Sequence, residues 1–261
     1  MDSMGVKSVI QYVRTSSVRT DIIGSLCPGT KPTDELLSAV DASESAIYDA
    51  LSNLEGRGLL TSTDDGWGLT GTGRLVADTI HRQRSLEDLF AVDTQYWERH
   101  DTSVLPQPLR CRLPELDEYT VIRSTQTDIN RPVREVVTRV ESVANCDVVS
   151  PVYHPEYEAA MPDSADSRLV LSCAVIDDML DTESVSLDAD RYEETPVRVT
   201  PVPYALAVSD DWMILTLPEL DGAWPSAKIV SETDSAISWA RDLFAQVWAD
   251  ATPIETYLAD R

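Results

Sequence analysis

The chain has 261 residues, room for one large domain or two ordinary ones, and its 43% apolar content is enough to bury a core. Against 45 Asp and Glu stand 21 Lys and Arg, a net charge of −24, which excludes attachment to nucleic acid or anionic membrane by bulk positive charge. With 28 Asp to 17 Glu and only 3 Lys beside 18 Arg, the composition is that expected in concentrated salt, where repulsion is screened within about 3 Å at 1 M.

Residues 1–84 hold 8 basic and 11 acidic side chains, a net of −3; residues 85–261 hold 13 and 34, a net of −21. Only the first third can approach a polyanion without strong repulsion. Cys27, Cys111, Cys146 and Cys173 are far apart and form no C-x-x-C or Cys/His ligand spacing, so reduced thiols are expected and a metal site is not. The opening MDSMGVKSVIQYV lacks the basic start and long apolar core of a signal peptide, and no apolar run approaches about 18 residues. The expectation is a soluble, cytoplasmic protein with no membrane partner and no cofactor.

In chain order, residues 6–13 and 18–26 carry apolar side chains at helical spacing, and Cys27-Pro28-Gly29 stops the second segment. Thr33 can cap the next helix, in which Asp34 and Glu35 favour the N-terminal dipole and Leu36, Leu37 and Val40 face inward. Asp41-Ala42 makes a turn, and Asp41 with Glu44 can form a capping box for a helix reaching about Glu55. In that helix Ala46, Ile47, Ala50, Leu51 and Leu54 share one face, while Glu44, Ser45, Tyr48, Asp49, Ser52 and Asn53 share the other. Two short helices at this separation have helix-turn-helix spacing. Residues 59–61 and 67–69 then read as two strands joined across Asp64-Asp65-Gly66. The order is that of a winged helix, predicted over residues 1–73. The stretch 43–60, SESAIYDALSNLEGRGLL, closely resembles the recognition helix and wing entry of archaeal winged-helix regulators.

Residues 74–110 read as a helical connector in which Val76, Ile80, Leu86, Phe90 and Trp97 form an apolar stripe. Such a stripe is either the seam of a dimer or the side of a helix docked on its own domain; the dimer is favoured, because helix-turn-helix proteins read two half-sites.

Residues 111–261 read as an α/β domain with a mainly parallel sheet. Strands are predicted at 120–123, 147–150 and 168–171, with helices at 131–143 and 156–161 between them. Later strands at 197–199, 204–208 and 212–217 look antiparallel, turning at Ser209-Asp210-Asp211, and a long helix covers 235–249. Ligands of open α/β sheets settle beyond the carboxyl ends of parallel strands, here Arg123, Ser124, Ser150, Tyr153, His154 and Ser172. Their hydroxyl, imidazole and guanidinium groups suit a small anion or polar metabolite as effector.

No G-x-S-x-G, Walker loop or G-x-G-x-x-G occurs, and the chain has 3 His, which argues against an enzyme. His100-Asp101 looks like a metal-phosphohydrolase dipeptide, but without further ligands it reads as a helix end. A degenerate phosphodiesterase-like sensor is disfavoured, since His154 is followed by Pro155-Glu156 and no His-x-Lys pairing.

The chain as a whole resembles the archaeal regulators that join a winged helix to the middle domain of the methanogenesis regulatory (Fil) proteins. Residues 96–106 (YWERHDTSVLP), 119–124 (YTVIRS), 148–155 (VVSPVYHP) and 236–244 (AISWARDLF) carry the likeness. It implies transcription regulation by a cytoplasmic dimer with a sensor-like middle domain and supplies no ligand. Double-stranded DNA is the expected partner. Ser43, Glu44, Ser45, Tyr48, Asp49, Ser52 and Asn53 would face base edges or phosphates, with Lys31, Arg57 and Arg74 on the backbone. The alternative is a module whose winged helix meets a protein instead, because no Lys or Arg lies on residues 43–56.

Overall fold

A computed structural model describes residues 8–181, 194–222 and 227–259. The chain divides into two compact units, Met1–Glu87 and Asp88–Arg261.

In the first unit α1 (Val9–Arg14) and α2 (Ser17–Ser25) are capped by the hydroxyls of Ser8 and Ser16. They precede α3 (Thr33–Ala39) and α4 (Glu44–Gly56). Two expected caps are corrected. Pro32 occupies the N-cap of α3 with no side-chain bond, because the Thr33 hydroxyl instead accepts Trp67 Nε1–H at 3.2 Å. The cap of α4 is Ser43, which accepts Ala46 N–H at 3.4 Å; Asp41 stands two residues too early.

The exit from α4 is a Schellman turn. Leu59 N–H donates to Leu54 O at 3.0 Å and Gly58 N–H to Glu55 O at 2.8 Å, with Gly58 at φ 71. Buried Leu54 and Leu59 then aim the chain into the wing, β1 (Leu60–Thr63) and β2 (Gly66–Leu69), paired antiparallel. Lys31 joins the wing through two backbone bonds to Trp67, 3.0 and 2.9 Å. Gly66 is required there: its φ is 122, and a Cβ would lie 2.2 Å from Lys31 O. The core of this unit gathers Ile22, Leu26, Leu36, Ile47, Leu51 and Leu54. The helix α5 (Gly71–Val92) begins in this unit and runs past its end.

The second unit opens with α6 (Thr94–Arg99) and α7 (Gln107–Arg110). There follow β3 (Thr120–Arg123), α8 (Arg131–Glu141), β4 (Asp147–Ser150), α9 (Pro155–Ala160), β5 (Arg168–Leu171) and α10 (Cys173–Asp181). After the undescribed residues come β6 (Val197–Val199), β7 (Ala205–Val208), β8 (Met213–Thr216) and β9 (Ala227–Ser231). The chain closes with α11 (Asp234–Asp250), β10 (Thr252–Pro253) and α12 (Ile254–Ala259).

The sheet order is β10-β6-β5-β4-β7-β8-β9-β3. A mainly parallel sheet was expected; only β4/β5 and β5/β6 are parallel among the described strands, and the other pairs are antiparallel. Two causes are visible. The Ser209 hydroxyl accepts the N–H groups of Asp211 and Trp212, both at 3.2 Å, closing a tight β7–β8 hairpin. The strand β3 does not neighbour β4 but pairs antiparallel with β9 at the far edge, so strand-helix-strand order along the chain is not adjacency in the sheet.

Helices cover both faces. Val148, Leu169, Leu171, Ala207 and Ile214 lie on the face covered by α8, α9, α10 and α12, whereas Val149, Leu206 and Leu215 alternate to the face over which α11 packs.

Candidate functional site

Two places gather chemistry-bearing side chains, one in each unit. On α4, Ile47, Ala50, Leu51 and Leu54 are buried, which turns Glu44, Ser45, Tyr48, Asp49, Ser52 and Asn53 outward, all of them exposed. Tyr48 stands 52% exposed, a large ring with no burial to account for it. The Asn53 amide nitrogen donates to Asp49 O at 2.6 Å, leaving its carbonyl oxygen outward-facing as an acceptor. Ser43 is committed to the cap and lies 3.3 Å from the Ser45 hydroxyl.

The three candidate cations differ. Arg57 packs its guanidinium 3.7 Å from the Tyr12 ring centroid, and Arg19 packs on the same ring at 3.9 Å, so Arg57 is held beside the end of α4. Lys31 is half-buried against the wing, and Arg74 is exposed on the first turn of α5.

The candidate dimer residues separate as well. Val76 and Ile80 belong to the core of the first unit. Leu86 is half-buried and Phe90 is 43% exposed, edge-on to Trp97 at 6.4 Å. Trp97 Nε1–H donates to the Tyr119 hydroxyl at 2.7 Å, and that hydroxyl donates to Leu89 O at 2.7 Å.

The six candidate effector residues do not converge on one point. Ser150, Tyr153 and His154 line a cavity of about 90 Å³ between the sheet and the α8–α9 side. Arg123 is elsewhere: at the far-edge strand it makes a two-pronged bond to Asp93, 2.5 and 2.9 Å. That hydrogen-bonded guanidinium holds the Asp93 carboxyl below its ordinary value, and Asp93 also caps α6 by accepting Tyr96 N–H at 2.9 Å. Ser124 follows Arg123 at that edge, and buried Ser172 donates its backbone N–H to Ser150 O at 3.0 Å.

Within the cavity, Tyr153 donates its hydroxyl to Glu158 Oε2 at 2.7 Å, which raises its own pKa. His154 caps α9, its Nδ1 accepting Glu156 N–H at 3.2 Å, and its ring lies 4.8 Å from Tyr157. The group that sequence reasoning missed is Lys228, on β9, 4% exposed and lining the same cavity. Its Nζ donates to Thr216 Oγ1 at 3.1 Å and sits 5.7 Å from the Tyr157 ring centroid. Burial pushes its pKa down to about 8 and that of Tyr157 up to about 12. The signal was present in the composition: 3 lysines in a chain otherwise using Arg.

Among the described residues no three His, Cys, Asp or Glu side chains gather as metal ligands, and no helix is long and apolar enough to cross a membrane. His100 ends α6, as its sequence context indicated, with Nδ1–H donating to Tyr96 O at 2.7 Å and its ring stacked on Tyr96 at 3.8 Å.

The helix pair and wing of the first unit, joined to a helix-covered mixed sheet, define an archaeal winged-helix regulator. Residues 7–88 match the HVO_A0261 N-terminal domain, and residues 129–250 match the middle domain of the methanogenesis regulatory protein FilR1. The first unit thus carries a domain of the HVO_A0261 N-terminal type and the second a FilR1-type middle domain. Among solved structures, TrmBL2, an archaeal chromatin protein, is 13% identical, with 88% of this chain and 91% of that chain covered at a TM-score of 0.38. The mitomycin 7-O-methyltransferase MmcR is 13% identical over 71% of this chain and 60% of that one, TM-score 0.25. The calicheamicin-biosynthesis methyltransferase CalO1 is 15% identical over 74% and 62%, TM-score 0.25. None of these three is similar enough for a shared fold to follow. No curated protein matches the chain.

Proposed function

We propose that this protein is a sequence-specific, dimeric DNA-binding transcription regulator whose second unit senses a small molecule or partner. The observation that carries the DNA reading is the outward face of α4, where Ser45, Tyr48, Asp49, Ser52 and Asn53 are all exposed beside a paired wing. A helix of this kind reads base edges in the major groove through side chains on its outer face. Ser45, Tyr48, Ser52 and Asn53 supply hydroxyl and amide groups for that purpose; Glu44 and Asp49 accept from cytosine amino groups. Lys31, Arg57 and Arg74 contact phosphates. The exposed Phe90 and half-buried Leu86 on α5 supply apolar surface for a seam between copies. The acidic composition fits operation in molar salt.

The test is replacement of Tyr48 and Asn53 by Ala, followed by gel shift on the operator and circular dichroism. Weaker binding with an unchanged fold supports the assignment, and unchanged affinity sinks it.

A second reading has its own observation. From Glu44 to Gly56, α4 carries Glu44, Asp49 and Glu55 and no cation, and the first cation beyond it, Arg57, is stacked on Tyr12. Such a face also suits a basic protein partner. Failure to bind duplex DNA at any salt concentration would decide for it.

A further inference from the structure

The cavity of the second unit contains a cation that makes no ion pair with any described residue. Lys228 enters from β9 and is 4% exposed. Its ammonium carries three donor hydrogens, and the bond to Thr216 Oγ1 uses one. Among the described residues no carboxylate lies within ion-pair distance of Nζ; the Tyr157 ring face is 5.7 Å away. Buried ammonium groups are paired or they are costly, so a lysine left in this state marks a place where something else supplies the negative charge. The Thr216 hydroxyl accepts from Lys228 and keeps its own proton as a second donor.

The lining is mainly apolar: Ala205 pairs with Thr216 across β7 and β8, Ile214 lies two residues from Thr216 on the same strand, and the Tyr157 ring faces Lys228. A sulfate or phosphate would need more donors than Lys228 and Thr216, and the Ser150 and Tyr153 hydroxyls are already given to Val152 O and Glu158 Oε2. Size narrows the ligand further. An apolar cavity of about 150 Å³ holds one benzene, and this one is about 90 Å³.

We propose that the cavity beneath α8 and α9 binds a short-chain monocarboxylate of two to four carbons, its carboxylate on Lys228 and Thr216 and its alkyl end against Ala205, Ile214 and the Tyr157 ring. This deepens the sensor reading and rests on it for its regulatory meaning, while the binding itself stands on the cavity alone. Among the described residues Glu158 is the acid that lines the cavity, and its Oε2 accepts the Tyr153 hydroxyl.

The experiment is isothermal titration of the full chain with sodium propionate in potassium chloride at pH 7, with 1-propanol as the uncharged control. The expected result is saturable one-site binding of propionate, at least tenfold weaker for 1-propanol and at least tenfold weaker for Lys228→Met. Equal propionate binding by the wild type and Lys228→Met, or no saturable binding by the wild type, overturns the site. Should Lys228→Met fail to fold, Ala205→Leu fills the Lys228 end of the cavity with the lysine retained; propionate binding is expected to be lost there too, and its persistence overturns the proposal. A second readout separates ion pairing from mere cavity filling. Near pH 8 about half of Lys228 is neutral in the free protein, so carboxylate binding takes up protons, up to about half of one per ligand. Heats that do not vary with buffer ionisation enthalpy contradict the assignment. Operator affinity measured on the same sample, with and without propionate, distinguishes the two levels: propionate bound with DNA affinity unchanged refutes the sensor reading and leaves the site standing.

Discussion

Replacing Lys228 by Met is expected to stabilise the second unit at neutral pH, although it removes a hydrogen bond. Burial lowers the Lys228 pKa from the ordinary 10.5 to about 8. At about 1.4 kcal/mol per pKa unit, holding this ammonium in the fold costs about 3 kcal/mol at pH 7. The sign follows from proton counts. Between about pH 8 and 10.5 the unfolded chain binds more protons than the folded one, so stability rises with pH across that window, and the full penalty applies below it. Methionine fills nearly the same space without the charge but abandons the 3.1 Å bond to Thr216, a loss of about 1 kcal/mol. The net gain is about 2 kcal/mol at pH 7, vanishing or reversing by pH 10.5. Urea unfolding of both proteins at pH 7 and pH 10, followed by tryptophan fluorescence, measures it. A variant less stable than wild type at pH 7, or a difference that does not change with pH, would refute the reasoning.

Other expectations follow from particular contacts. Tyr48→Ala combined with Asn53→Ala should weaken operator binding about thirtyfold or more, at about 1–3 kcal/mol for each of the two lost base contacts, with an unchanged unfolding midpoint in urea. Asp93→Asn should cost about 1–2 kcal/mol by weakening the cap of α6 and its two bonds to Arg123. Because the Asp93 pKa is depressed, its contribution is present above the unfolded value and fades as acidification passes through the folded one; the wild type and Asp93→Asn should therefore converge in acid titrations below about pH 4. Gly66→Ala should disrupt the wing, since the added carbon would meet Lys31 O at 2.2 Å, and tryptophan emission from Trp67 together with thermal melting reports it. Phe90→Glu with Leu86→Glu should yield monomers in sedimentation equilibrium; a retained dimer would place the seam elsewhere.

The first unit was legible because its signals are local. The buried positions of α4 recur at helical spacing, and Gly56-Arg57-Gly58 announces the turn that structure shows at Gly58. What escaped there was competition for side chains. Thr33 has the chemistry of a cap, but a tryptophan 34 residues away claims its hydroxyl, and no reading of neighbours reveals that. In the second unit most strands were found and the sheet was not, since pairing is non-local: β3 and β4 are consecutive along the chain yet separated by β7, β8 and β9. The same non-locality scattered the effector candidates, sending Arg123 to Asp93 while Ser150, Tyr153 and His154 stayed together. Lys228 was overlooked because β9 was. A lysine inside Ala-Lys-Ile-Val-Ser interrupts the apolar run that marks a buried strand, and burial on both faces of β9 is set by helices elsewhere in the sequence.

The central claim is that the outward face of α4 reads duplex DNA, and selection from random duplexes by the full chain in molar potassium chloride tests it most directly. The account predicts an enriched, near-palindromic motif with half-sites about 10 base pairs apart. It also predicts affinity that stays flat or rises with salt, because three cations, Lys31, Arg57 and Arg74, are all that the account sets on phosphates in a chain of net charge −24. No enrichment at any salt concentration, or binding that collapses steeply as salt increases, would contradict it.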